Sequence, residues 1–174
     1  MNPVFIVDST RTPRARANDK GSLNKLNPYE LLDILYKDIE QKNFLNLNSI
    51  DEVILGCVTQ HGEQAGNIAK SSSLFSGYPD SISGLTINRF CSSSLDAINL
   101  GYLKIQSQQA NNVITGGIEM MSRVPMLSDN AAIWSDVTLA TQAKIFLMGS
   151  GADLIASLFN ISRSEVDMQA LKSQ

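Results

Sequence analysis

The sequence predicts an α/β protein built on a mostly parallel, mixed sheet with helices on both faces. Two observations carry that expectation. Short aliphatic or β-branched runs alternate with longer stretches whose apolar residues recur at helical spacing, the pattern of parallel strands joined by crossover helices. At 174 residues and 43% hydrophobic content, the chain is also long and apolar enough to bury a core.

The elements follow in order. Residues 4–7 (VFIV) read as a buried strand ending at Asp8. Asn27-Pro28 signals a helix start, and Leu31, Leu32, Ile34, Leu35 and Ile39 then recur at helical spacing, so a helix is expected over 28–42. Residues 51–59 (DEVILGCVT) read as a second strand. A second helix is expected around Ile68, Ala69, Leu74 and Phe75, before the turn Gly77-Tyr78-Pro79-Asp80. Residues 85–88 make a third strand, 92–107 a helix with Leu95, Ile98, Tyr102 and Ile105 on one face, and 112–118 (NVITGGI) a fourth strand.

Beyond Ser122 the alternation breaks into an irregular stretch expected to be a loop excursion or lid. Two helices should follow, over 149–159 and from Arg163 onward, the second opened by a Ser162-x-x-Glu165 capping box. The second helix runs to the end of the sequence without a glycine, asparagine or proline to close it. A first domain over 1–121 and a second, partial one over 122–174 are therefore expected.

Charge narrows the function. With 14 basic and 17 acidic residues, and no long run of like sign, neither nucleic acid nor a membrane surface is an expected partner. No stretch has the length of a membrane span or the form of a signal peptide. The two cysteines, Cys57 and Cys91, lack metal-ligand spacing, so no metal site is expected and a reducing, cytoplasmic setting fits.

Cys91 is the candidate for chemistry. It lies where a strand gives way to a helix, and the unpaired amides and dipole of a helix start favour a thiolate and can bind an oxyanion. Arg89 adds a positive charge, and Ser92, Ser93 and Ser94 leave room for an acyl chain. On position alone, Cys91 is equally readable as a small buried core residue. Cys57, inside an apolar strand, reads as core. Glu63 and Glu119 read as structural, and His61, the one histidine, as a surface-loop residue.

INRFCSSSLDAI resembles the nucleophile motif of the thiolase family. The match extends to the opening VFIVDSTRTPRAR, to GCVTQHGEQAGNIAK, to Gly116-Gly117-Ile118-Glu119-Met120-Met121-Ser122 with the following Arg123-Val124-Pro125-Met126, to Met148-Gly149 with Ala152-Asp153, and to ISRSEVD. The resemblance implies a thiolase-type N-terminal αβαβα half with part of the loop domain that covers coenzyme A. It implies acyl transfer between coenzyme A thioesters, either thiolysis of a 3-ketoacyl-CoA or condensation with acetyl-CoA, as in fatty-acid metabolism. Cys91 would be the nucleophile, with its own backbone amide as an oxyanion donor. Met148 would contact substrate. Coenzyme A thioesters would be substrates with no bound cofactor, and the protein would form a homodimer or higher homo-oligomer.

Departures sharpen this. Ser94 and Asp96 stand where many thiolases have glycine and glutamine, and Asp96 places an acid one turn into the helix. The family's Gly-His-Pro histidine, Asn-Glu-Ala-Phe segment and Cys-x-Gly second cysteine do not occur in these 174 residues. The alternatives are therefore a non-catalytic N-terminal fragment, or a partner subunit that needs another chain for those groups. A third is a ketosynthase-like condensing protein, which CSSSL echoes.

Overall fold

β1 (Glu52–Gly56) is buried along its whole length because it is the central strand of a three-stranded sheet ordered β2-β1-β3. The structure is a computed structural model that describes residues 3–43 and 45–174. β2 (Ser83–Ile87) and β3 (Val113–Gly117) flank β1, and both pairings are parallel. Alternate residues of β1 face opposite ways. Val53 and Leu55, with Cys57 just beyond the strand, join Leu32 and Tyr36 of α1 (Pro28–Asn43) and Ile68 and Ala69 of α2 (Ile68–Phe75) in one apolar core. Glu52, Ile54 and Gly56 have the other parity, and on that face α3 (Ser93–Gln106) packs. Helices thus cover both faces, as the alternation in the sequence predicts.

The helix starts follow their local chemistry. Asn27 accepts a hydrogen bond from the Glu30 amide at 3.0 Å, and Glu30 accepts one from the Asn27 amide at 2.7 Å, so α1 opens with a reciprocal cap. Close approach of the helices depends on residues without side chains. A Cβ on Gly84 would sit 2.5 Å from the Lys70 backbone in α2. On the opposite face, a Cβ on Gly56 would lie 2.4 Å from the Ser93 carbonyl carbon, and one on Gly117 would lie 2.0 Å from Ser94 Oγ. α3 is therefore seated by its first turn directly on the C-terminal ends of β1 and β3.

One expectation changes. The VFIV run takes no part in the sheet: Phe5, Ile6 and Val7 are 74%, 84% and 83% exposed, in an irregular segment that Asn43 Nδ2 meets by donating to Asp8 Oδ2 at 2.7 Å. β-propensity alone does not make a strand. The sheet is ordered β2-β1-β3, and the run pairs with neither of its outer edges. In α3 the residues on the sheet are Ser93, Ala97 and Gly101, whereas Leu95, Ile98 and Tyr102 are turned outward. The small residues win the sheet side because only they permit the close seating.

The chain divides into two compact units, one ending at Asp129 and the other spanning Asn130–Gln174. The second holds α4 (Ala132–Ser135), α5 (Val137–Gln142), α6 (Met148–Leu158) and α7 (Arg163–Ser173). α5 was not legible in the sequence; Asp136 caps it, accepting from the amides of Thr138 and Leu139 at 2.8 and 3.1 Å. The capping box of α7 is present in full, with Ser162 and Glu165 bonded reciprocally. Among the described residues, no helix is long and apolar enough to cross a membrane.

Two outcomes follow for stability. Gly56→Ala forces the backbone of α3 away from the sheet and should destabilise the chain by about 2–3 kcal/mol in urea unfolding. Tyr36, buried and bonded to Ser72 Oγ at 3.0 Å, has its phenol pushed up to about 12 by burial. The unfolded chain ionises first, so this contribution is intact below pH 10 and is lost as pH rises toward 12, at up to about 1 kcal/mol per pH unit. Urea titrations at pH 9, 10 and 11 should show that decline, and Tyr36→Phe should make it shallower.

Candidate active site

The turn between β2 and α3 is built from residues 88–93, and nearly every polar group in it has a structural task. Asn88 Oδ1 accepts from the Phe90 amide at 2.8 Å, and its Nδ2 donates to the Val58 carbonyl at 3.1 Å. Phe90 has φ 48°, the left-handed region that costs a bulky residue about 1–2 kcal/mol and persists only where neighbours enforce it. Buried Ser93 supplies much of that enforcement. Its Oγ accepts from the Arg89 amide at 2.8 Å and donates to the Phe90 carbonyl at 2.6 Å, while its own amide donates to the same carbonyl at 3.0 Å. Ser93 is therefore a tie within the elbow, and the space expected from the three serines is narrower than their size suggests. Arg89 Nε pairs with Asp96 Oδ2 in the first turn of α3.

Cys91 stands on this elbow, exposed to solvent, two residues before the first residue of α3. It lies at the C-terminal end of the parallel strands, where ligands of open α/β sheets gather. The loops beside it are locked. Glu119, just past β3, accepts from the amides of Val58 and Thr59 at 2.7 and 3.2 Å and from Gln64 Nε2 at 2.9 Å. Gln64 is 0% exposed; it also donates to the Thr59 carbonyl at 2.9 Å and accepts from the Met120 amide at 2.6 Å. One carboxylate and one amide thus bind the loop after β1 to the loop after β3, and Asn88 joins the loop after β2 to the loop after β1. Glu119 is structural, as expected. So is Glu63, which pairs with Arg123 Nε at 2.6 Å, while Arg123 Nη1 donates to the Asn24 carbonyl at 3.0 Å.

The remaining predicted residues separate cleanly. Cys57 is core, 1% exposed, and its thiol is pushed up to about 12 by burial and, secondarily, by the Glu119 charge. His61 is exposed and precedes the short 3-10 turn Gly62–Gln64. Met120 is buried, whereas Met121 and Met126 are exposed. Met148, 85% exposed, begins α6 in the second unit. Among the described residues, no group of three or more His, Cys, Asp or Glu side chains is placed to hold a metal. The sequence reading missed Gln64; its one signal was a long polar side chain within the short GEQAGN connection.

Fold and elbow together define an α/β protein that displays a thiol at a helix start above the ends of parallel strands. The chain belongs to the thiolase family: the family described as "Thiolase, N-terminal domain" matches residues 4–174. It is similar to the 3-oxoadipyl-CoA/3-oxo-5,6-dehydrosuberyl-CoA thiolase of Escherichia coli strain K12, at 36% identity over 191 residues, covering 100% of this chain and 47% of that protein. It is also similar to the 3-ketoacyl-CoA thiolase of Colwellia psychrerythraea, at 37% identity over 177 residues, covering 99% of this chain and 45% of the other. Among solved structures, the Bacillus anthracis acetyl-CoA acetyltransferase matches with a TM-score of 0.66 and 28% identity, over 87% of this chain and 41% of that one. The chain therefore spans less than half the length of these relatives.

Exposure and burial divide the two thiols sharply. In the folded chain at pH 8, iodoacetamide should modify Cys91 while leaving Cys57 unmodified until denaturant is added, as read by peptide mass mapping.

Proposed function

We propose that Cys91 is the nucleophile of a thiolase-type acyl transfer between coenzyme A thioesters. The observation that carries the reading is the exposed thiol on a hydrogen-bonded elbow at the start of α3, in a chain of this family. In the thiolytic direction, Cys91 Sγ adds to the 3-keto carbon of a 3-ketoacyl-CoA. The bond between carbons 2 and 3 breaks, and the released carbanion takes a proton to leave as acetyl-CoA. The sulfur of free coenzyme A then attacks the acyl-Cys91 thioester, giving a shortened acyl-CoA and restoring the thiol. Condensation runs the same steps backwards. The Cys91 backbone amide donates to the oxyanion formed at each addition.

The base that activates Cys91 and the acid at the α-carbon come, in this reading, from polypeptide outside these 174 residues. Residues 1–121 form the N-terminal α/β domain, and 122–174 form part of the loop domain over coenzyme A, with Met148 against substrate. No bound cofactor is required. A cytoplasmic homodimer or higher homo-oligomer fits the free cysteines and the outward apolar residues of α3.

Those same residues, Leu95, Ile98, Tyr102 and Leu103, favour a second reading in which the chain is a half-site, inactive until another polypeptide covers it. One experiment tests the nucleophile and the need for outside groups together. On incubation with acetyl-CoA, mass spectrometry should find a hydroxylamine-labile acetyl group on Cys91, absent from Cys91→Ser, with no thiolysis of acetoacetyl-CoA by the chain alone. Turnover by this chain would sink the need for an outside base. No adduct, with Cys91→Ser behaving identically, would remove the nucleophile.

A further inference from the structure

We propose that the cavity between residues 12–17 and the loop after β3 is a binding site for a small amphipathic anion, an aliphatic carboxylate whose head is received by Arg14 and Arg16. The cavity encloses about 340 Å³, at the lower end of the range for small-molecule sites. Leu31 and Leu35 of α1, with Leu23, Ile118 and Met121, supply apolar walls, and Arg14 and Arg16 line the side formed by the N-terminal segment. Among the described residues, neither arginine has an ion-pair partner. Apolar walls beside two unpaired guanidinium forks suit a ligand with an aliphatic body and an oxyanion head, because an arginine can meet a carboxylate through two parallel hydrogen bonds.

The arginine-bearing segment is a formed wall, tied down on both sides of the cavity. Before it, Asp8 accepts from Asn43 Nδ2 at 2.7 Å and Thr10 hydrogen-bonds Asp38, which fastens the chain to α1. After it come consecutive turns, in which the amides of Gly21, Asn24 and Leu26 donate to the carbonyls of Asn18, Gly21 and Leu23, each at 3.0 Å. A Cβ on Gly21 would lie 2.2 Å from the Arg16 carbonyl oxygen, so only glycine lets the first turn close on Arg16. Arg123 pins the turns in place, donating from Nη1 to the Asn24 carbonyl at 3.0 Å while Nε and Nη2 fork onto Glu63. A ligand therefore meets walls already in position, and little ordering opposes its binding. Charge points the same way. Residues 11–25 hold Arg11, Arg14, Arg16, Lys20 and Lys25 against Asp19 alone, in a chain whose net charge is -3. Of the carboxylates on adjoining elements, Glu119 lines the cavity but is held by three donors, Glu63 pairs with Arg123, and Glu30 accepts from the Asn27 amide.

No residue of the Cys91 elbow lines this cavity, so its test stands apart from the acyl-transfer reading. The chain, labelled with 15N, is titrated with sodium octanoate at pH 7 and followed by two-dimensional amide NMR. The amides of residues 14–17, 23 and 117–122 should move and saturate. 1-Octanol, which has the same body without the charge, should bind about tenfold more weakly, and Arg14→Gln combined with Arg16→Gln should bring octanoate to the level of octanol. Salt at 1 M should weaken octanoate and leave octanol unchanged. Inorganic phosphate, a head without a body, should need at least about tenfold higher concentration to move the same amides. Spectral dispersion establishes that the double variant is folded, and the comparison of octanoate with octanol needs no variant. Octanol binding as tightly as octanoate, a double variant that binds like the parent chain, or shifts confined to the outward residues of α3 would overturn the proposal. Phosphate as effective as octanoate would overturn it too, because the apolar walls would then contribute nothing.

Discussion

The seating of α3 on the sheet is the constraint from which the rest of the first unit follows. Gly56 and Gly117 leave no side chain between the strand ends and the first turn of the helix, so backbone lies against backbone there. Interiors are packed densely enough that one added methyl would have to displace the helix. Because the seat is at the first turn, the position of the residues just before α3 is inherited from the sheet. The elbow then needs only short hydrogen bonds to complete it, and Ser93, Asn88 and the amides of Arg89, Phe90, Ser92 and Ser93 supply them.

The same logic explains why polar side chains are buried so close to the exposed thiol. Three connections leave the strand ends, and each carries amides that a sheet ladder no longer satisfies. Glu119 and Gln64 answer the amides of Val58, Thr59 and Met120, which binds the loop after β1 to the loop after β3. An exposed reactive group on a mobile loop would sample many geometries. Here the loops at the strand ends are tied by side-chain hydrogen bonds while the thiol of Cys91 stays open to solvent.

Much of this was legible in the sequence because periodicity and caps are local. The helix over 28–42, the strands around 52–56, 83–87 and 113–117, and the Ser162 capping box all rest on residues within a few positions of one another. Cys91 was locatable for the same reason, as the residue between a strand and a helix start. What stayed hidden depends on distant partners. VFIV has the composition of a strand yet joins neither outer edge of the sheet, and composition does not say whether an edge will be paired. Which residues of α3 meet the sheet stayed open, because periodicity identifies a stripe without naming its partner; Ala97 and Gly101 took that place by being small. Gln64 joins groups that lie 55 and 56 residues further along the chain, and no local pattern announces such a bond.

The distance along the chain between Glu119 and the amides it holds gives the loop after β1 a history as well as a geometry. Val58 and Thr59 are synthesised 61 and 60 residues before the carboxylate that fixes them. At ribosomal rates of about 5–20 residues per second, that loop exists for seconds before its carboxylate is made. The elbow at Cys91 has its ties in Asn88 and Ser93, close by in the chain, and needs no such wait. Translation order thus makes the fastening of the loop after β1 one of the last events in building this layer.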